Sequence, residues 1–406
     1  MSVKQDTHYS SKLEKETVLI LQGGGSLGAY DCGVYKGLSK KGIHFDILAG
    51  SSIGAINTSI IASAQNTGKD NASSILEEFW LTLSENLGSP NQLIQSPFSF
   101  ISSDEMMAVM SSMYSMFYGN ANAFLPRWFD LDSRDYFNPY KWTYLYDPTP
   151  LKKTLKQYLN VVKLTKMDHN EIHAYNRNHR TDNNSRRDDR KPSRLIITST
   201  DIQKGESVIF DNAYSDITID KVIACAGYPF YGLKWTEENG RYLWDGSLLT
   251  NTPMLEVVRR SPRLDKRFYI VDVFPRQQKE VPSNMMEVWH RARDIIFMDK
   301  TDKNIEMLRG TEKYLSLVRK IYDTLHADDA KVDQTTKEKL KDIEYEYHSL
   351  NQKHGASITD LVRIGRREGS LHYLFEDADF SRYRIKKLIA EGEKDAEHIL
   401  AREDKS

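Results

Sequence analysis

Ser52 stands in Gly50-Ser51-Ser52-Ile53-Gly54, a G-x-S-x-G run that can make a serine nucleophilic. In a strand-to-helix turn of this kind the chain bends sharply and lifts the hydroxyl above the sheet. Glycine is needed on both sides because a Cβ there would strike neighbouring backbone. The helix that comes next points its N-terminal N–H groups toward the site. Five residues are a weak signal, since small residues also gather in ordinary tight turns. The context strengthens it. Phe45-Asp-Ile-Leu-Ala49 reads as a short strand before the turn, and Ala55 to about Gln65 as a helix after it, with Ile56, Ile60 and Ile61 inward.

A second run, Gly23-Gly24-Gly25-Ser26-Leu27-Gly28, leaves several backbone N–H groups unshielded. Such groups stabilise an oxyanion as well as a phosphate. The run also matches G-x-G-x-x-G, the dinucleotide pattern. Asp46 is the acid that would hold a ribose, but it falls at the start of the second strand rather than at its carboxyl end, which the serine turn occupies. A phosphate-binding P-loop is excluded because no Gly-Lys-Ser/Thr comes after the glycines. The third run is Trp244-Asp245-Gly246-Ser247, with Asn251-Thr252-Pro253 downstream. An isolated Asp-Gly is usually a turn. Here an apolar strand, Arg241-Tyr-Leu-Trp244, delivers it.

These runs need a sheet to hold them. Thr17-Val-Leu-Ile-Leu-Gln22 has the β-branched and leucine content of a buried parallel strand, and it breaks on the triglycine. A helix fits Gly28 to Lys41, closed by Gly42. Strand, glycine turn, helix, repeated twice, predicts an α/β fold with a doubly wound, mainly parallel sheet flanked by helices and active groups at the carboxyl ends of strands. Arg194–Thr200, Glu206–Phe210 and Arg267–Phe274 read as further strands, and Lys221–Ala226 as a short helix. Beyond Pro275 the composition turns to charged amphipathic helices over 287–300, 304–325, 335–350 and 381–401. The expected layout is a flexible tail at 1–16, a catalytic domain at 17–275 with an exposed polar loop at 169–191, and a C-terminal helical region at 276–406. Met106, Met107, Met110, Met113 and Met116 recur at mostly helical spacing. They read as a core helix, with an acyl-site lining or mobile lid as the alternative.

Taken in order, the three runs resemble the motifs of the patatin-like phospholipases: an oxyanion loop, a nucleophile turn and a later Asp-Gly. The likeness extends over about Thr17 to Phe274, and Cys225-Ala-Gly-Tyr-Pro229 is similar to the stretch that precedes the family's aspartate. The resemblance implies a catalytic dyad of Ser52 as nucleophile and Asp245 as proton acceptor, without a histidine. It implies an oxyanion loop at Gly23, Gly24, Gly25 and Ser26, with Gly28, Gly50, Gly54 and Gly246 as motif glycines. Many members carry Arg or Lys where Leu27 stands, and Leu27-Gly28-Ala29-Tyr30 is similar to a bacterial branch of the family. The third motif ends in Ser247 rather than Ala or Gly. The function implied is a serine acyl hydrolase cleaving lipid esters through an acyl-enzyme. An esterase or depolymerase for other esters, such as polyhydroxyalkanoates, is the alternative. A non-catalytic module descended from a hydrolase is the third reading, disfavoured by the intact motifs.

The remaining features set limits. The eleven histidines do not suggest a triad, because none falls in a strand-end turn. No Cys/His metal spacing occurs, so no metal or cofactor is expected. With 39% hydrophobic residues, 28% charged and a net charge of -1, the chain can bury a core and has no global pull toward nucleic acid. Cys32 and Cys225 read as buried free thiols. The polar N-terminus lacks the apolar core of a secretory signal, so a cytoplasmic location is expected, with peripheral membrane contact and homo-oligomers left open.

Overall fold

A computed structural model describes residues 15–68, 71–85, 104–129, 137–168, 192–262, 264–278, 280–298, 301–325, 343, 345–347, 349–350, 356–367 and 376–403. The polar loop expected at 169–191 and most of the helix expected at 335–350 lie outside the described residues. The strands are β1 (Lys15–Leu21), β2 (Ile47–Ser51), β3 (Leu125–Pro126), β4 (Tyr146–Asp147), β5 (Arg194–Asp201), β6 (Glu206–Asp211), β7 (Thr236–Glu238), β8 (Arg241–Asp245), β9 (Asp265–Asp272) and β10 (Ile358–Gly365). The helices are α1 (Gly28–Lys40), α2 (Ile53–Gln65), α3 (Ala72–Leu83), α4 (Asp104–Tyr118), α5 (Thr149–Tyr158), α6 (Ile219–Ala224), α7 (Met254–Arg260), α8 (Met285–Phe297), α9 (Thr301–Leu325) and α10 (Arg382–Glu403).

The main sheet runs β10-β9-β1-β2-β5-β8-β7, with β6 also on β5. It is parallel from β10 to β5 and antiparallel where β6, β7 and β8 join. The sheet is therefore mixed but mainly parallel. Side chains alternate across it, as strand geometry requires. Leu19 and Leu21 face a core with α1, α2 and α3, and Val18 and Ile20 face a second core with Met254, Val257 and Ile305. Both faces are covered, which is why β1 and β2 read as continuous apolar runs. Cys32 and Cys225 are buried free thiols. Among the described residues no helix is long and apolar enough to cross a membrane.

Two expected boundaries move. Lys15 and Glu16 belong to β1 rather than to a tail, and the buried Glu16 carboxylate pairs with the buried Lys266 ammonium at 2.5 Å. The region after 275 is helical but is not only helices, since β10 extends the main sheet beside β9. Helix α10 then crosses α1 at close range. A Cβ on Gly33 would lie 1.9 Å from the Ile389 oxygen, and one on Gly392 would lie 2.2 Å from the Tyr30 oxygen. Glycine on both helices lets the backbones touch, so the C-terminal region packs directly on the element that comes after the triglycine loop.

Candidate active site

Strand β5 sets the site by its register. On one edge β2 rises to Ser51 opposite Thr198, and β8 arrives from the other direction with Asp245 opposite Ser199. Strand β6 pairs with the whole stretch from Ile196 to Asp201, so it occupies the other edge. Two strands that end head to head on adjacent residues of a third must bring their terminal residues together. Ser52 is the residue next after β2, and its Oγ donates to Asp245 Oδ2 at 2.6 Å.

Ser52 has φ 54° and ψ -131°, a conformation that costs a non-glycine residue about 1–3 kcal/mol. Tight packing around the turn holds it there. A Cβ on Gly54 would lie 2.2 Å from the Leu21 oxygen, and one on Gly50 would lie 2.4 Å from the Gly54 carbonyl carbon. Gly246 is confined in the same way, with the Thr198 oxygen 2.3 Å from its would-be Cβ. The buried Ser51 hydroxyl donates to the Thr250 oxygen at 2.5 Å and ties the turn to the loop after Asp245.

Gly25, Ser26 and Leu27 form a 3-10 turn that leads into α1. Its first N–H groups have no acceptor within the turn. Gly23 differs from Gly24 and Gly25, because its N–H donates to Asn251 Oδ1 at 2.9 Å. Asn251 is buried, and its Nδ2 donates to the Phe297 oxygen at 2.9 Å. Gln22 Nε2 donates to Thr252 Oγ1 at 2.9 Å, while its Oε1 accepts the Val273 N–H at 3.1 Å. Gly25 has φ 57°, and the Asp377 oxygen lies 2.3 Å from its would-be Cβ. The Ser26 hydroxyl donates to the Glu376 oxygen at 3.1 Å. The loop is thus clamped between Asn251 and the C-terminal region. Asp46 lies at the far end of β2, where its carboxylate accepts the Thr17 N–H at 2.7 Å. That position fits no ribose contact.

Asp245 is fully buried. Burial raises its pKa, hydrogen bonds from Ser52 and from the Ser247 N–H pull it back, and the balance lies at about 6. At neutral pH it remains mostly a carboxylate.

Ser52 and the three glycines open into a cavity with about 1050 Å³ of empty space, part of it continuous with solvent. Its walls are mainly apolar, and among the described residues none that lines it is a lysine, arginine or histidine. Met116 of α4 lines it, as do Phe274, Phe297 and Phe380. The methionine helix therefore serves partly as a lining, while Met113 and Phe117 are exposed. No motif in the sequence marks Asp377, Ala378 and Phe380, which close one side of the cavity. Buried charge holds them. Arg293 and Arg366 pair with Glu376 at 3.5 and 2.6 Å, and Arg384 completes the cluster. Burial pushes the Glu376 pKa up, but the charges of Arg366, Arg384 and Arg293 outweigh it and hold the carboxyl at about 2. Tyr231 Oη donates to Asp377 Oδ2 at 2.5 Å inside the cavity. Asn251 is visible in the sequence only as part of a run after Asp-Gly, with nothing to show its contact with Gly23.

A serine in a strained strand-to-helix turn, a buried carboxylate on its hydroxyl and a glycine loop beside it thus meet on a mainly parallel sheet flanked by helices. The Patatin model, described as patatin-like phospholipase, matches residues 19–258, more than half of the chain, and the chain belongs to that family of lipid acyl hydrolases. A second family model, described as patatin phospholipase, matches residues 295–406 and so takes in β10, Glu376 with Arg366 and Arg384, and α10. No curated protein matches the chain. Among solved structures, VipD from Legionella pneumophila is similar at 11% identity over 96% of this chain and 67% of that one, with a TM-score of 0.35.

Proposed function

We propose that the chain is a serine acyl hydrolase that cleaves carboxylic esters of lipids through a covalent acyl-enzyme. The observation that carries this reading is the 2.6 Å hydrogen bond from Ser52 to buried Asp245 at the floor of an apolar cavity. Asp245 accepts the Ser52 proton as Oγ attacks the ester carbonyl. The N–H groups of Gly24, Gly25 and Ser26 receive the oxyanion, and Gly23 acts indirectly because Asn251 already takes its N–H. The alcohol then leaves with the proton. Water activated by Asp245 releases the acid and restores the serine. A carboxylate is a weak base for an alcohol, so pre-set geometry and the oxyanion donors must supply much of the acceleration. The apolar lining favours a long acyl chain over a small polar acid.

A fluorophosphonate probe tests this directly, because it labels only an activated serine. The wild-type chain is expected to be labelled at Ser52, and Ser52→Ala is expected to remain unlabelled while keeping the wild-type melting temperature. Labelling of the Ala variant at the wild-type rate would sink the assignment.

A further inference from the structure

Helix α8 is built inside out. Its exposed residues are Met285, Val288, Trp289, Ala292, Ile295 and Ile296, which recur at the three- and four-residue spacing of one helical face. Its buried face carries His290, Arg293, Asp294 and Phe297. Ion pairs hold that orientation. Arg293 pairs with Asp294 at 2.9 Å, and with Glu376 and Asp377 at 3.5 Å each. A helix pinned by charge with its apolar stripe turned outward reverses the usual order, and exposed apolar patches of this kind mark contact surfaces.

The position of the stripe identifies its occupant. Ile295 and Ile296 line a surface groove together with the exposed Phe230 and Leu249. Tyr228, Ser247 and Phe297 line both this groove and the cavity above Ser52. Phe297 forms the partition, with its ring stacked on Phe274 at 5.0 Å. The groove's charges lean positive. Its single acid, Asp302, is matched by Arg276 and Arg363, and Lys303 adds a further cation.

From the inverted stripe and its shared wall with the cavity we infer that α8, with Phe230 and Leu249, docks on a phospholipid surface. The apolar stripe enters the acyl boundary, and Arg276 and Lys303 meet headgroup phosphates. The choice of lipid as occupant rests on the hydrolase reading, since a lipid acyl chain must leave its aggregate to reach Ser52.

The test is co-sedimentation of the full chain with phosphatidylcholine vesicles containing phosphatidylglycerol, alongside fluorophosphonate labelling in free solution. Val288→Glu combined with Ile295→Glu alters two stripe residues that do not line the cavity. Vesicle affinity is expected to fall by about tenfold or more, with labelling rate and melting temperature unchanged. Met285→Glu alone, at a position 77% exposed, is expected to weaken sedimentation less and serves if the double variant fails to fold. A wild-type chain that labels normally but does not sediment would overturn the surface and leave the hydrolase standing. A wild-type dimer that the double variant converts to monomer would also overturn it, because a second copy would then cover the stripe. Sedimentation without labelling would keep the surface and strike the hydrolase reading.

Discussion

Two buried carboxylates, Asp245 and Glu376, sit on either side of one cavity in opposite electrostatic surroundings. Asp245 lies at the end of β8, where no cation among the described residues relieves its burial, and its pKa rises to about 6. Glu376 lies in the C-terminal wall among three arginines, and its pKa falls to about 2. A base that must gain and lose a proton has to be left partly unsatisfied. A carboxylate that anchors a wall has to be satisfied completely. Under the proposed mechanism, the contrast separates the residue that would move a proton from the residues that hold the cavity wall.

The largest expected effects test that division directly. Ser52→Ala or Asp245→Asn should lower turnover of a soluble p-nitrophenyl ester by about 10⁴-fold or more, because the pair acts as a unit. Thermal melting should show the fold intact. Glu376→Ala should do the reverse. It removes the carboxylate that Arg293, Arg366 and Arg384 share, and breaking a buried ion-pair cluster from one side costs about 3–5 kcal/mol of stability. Denaturant unfolding should show that loss. Well below the new midpoint, the catalytic rate per labelled serine should change much less than in the Ser52 variant. Equal damage to stability from both variants would erase the distinction.

Asn251 falls between the two regions, and a smaller effect is expected there. Its Oδ1 holds the Gly23 N–H and its Nδ2 holds the Phe297 oxygen, so it joins the glycine loop to the cavity wall. Asn251→Ala should reduce kcat by about 10²-fold, comparable to losing one oxyanion donor. KM should move little, because substrate binding relies on the apolar walls. A rise in KM at unchanged kcat would place Asn251 with the wall instead.

The two regions also differ in how far the sequence reveals them. The serine turn, the triglycine and the Asp-Gly are contiguous runs whose geometry is local, so they are readable without a structure. Strands β1, β2 and β5 are buried on both faces and show as apolar runs. The wall has no such signature. Glu376 meets Arg293 from a distant helix and Arg366 and Arg384 from either side of its own turn, and such pairs leave no pattern in composition. Strand β10 is hard to read because Asp360 and Arg363 interrupt its apolar residues, each engaged in an ion pair in the fold. The α1–α10 crossing depends on single glycines inside helical sequence, which read as weak helix formers until the opposing backbone is seen. The inverted face of α8 is amphipathic by spacing, and spacing does not say which side is buried.

The smallest effect sharpens the contrast most finely, because it concerns one proton. Below about pH 6 Asp245 is protonated and cannot accept the Ser52 proton. The kcat/KM for a neutral soluble ester should therefore rise about tenfold per pH unit up to that value and level off above it. Stability should run the other way. The folded pKa lies above the unfolded value of about 3.9, so the native state binds the proton more tightly. The contribution of Asp245 to stability is then full below about pH 4, declines as pH rises through 6, and is lost above. Asp245→Asn removes the buried charge, so at pH 8 it should exceed the wild type in stability by up to about 3 kcal/mol, less the hydrogen bonds it weakens. That advantage should vanish by about pH 4. The comparison can be read from two denaturation series and one rate profile. A profile that stays level down to pH 4, with no gain in the Asn variant, would show that Asp245 is as well satisfied as Glu376. Poise in the one and anchorage in the other would then no longer be distinct.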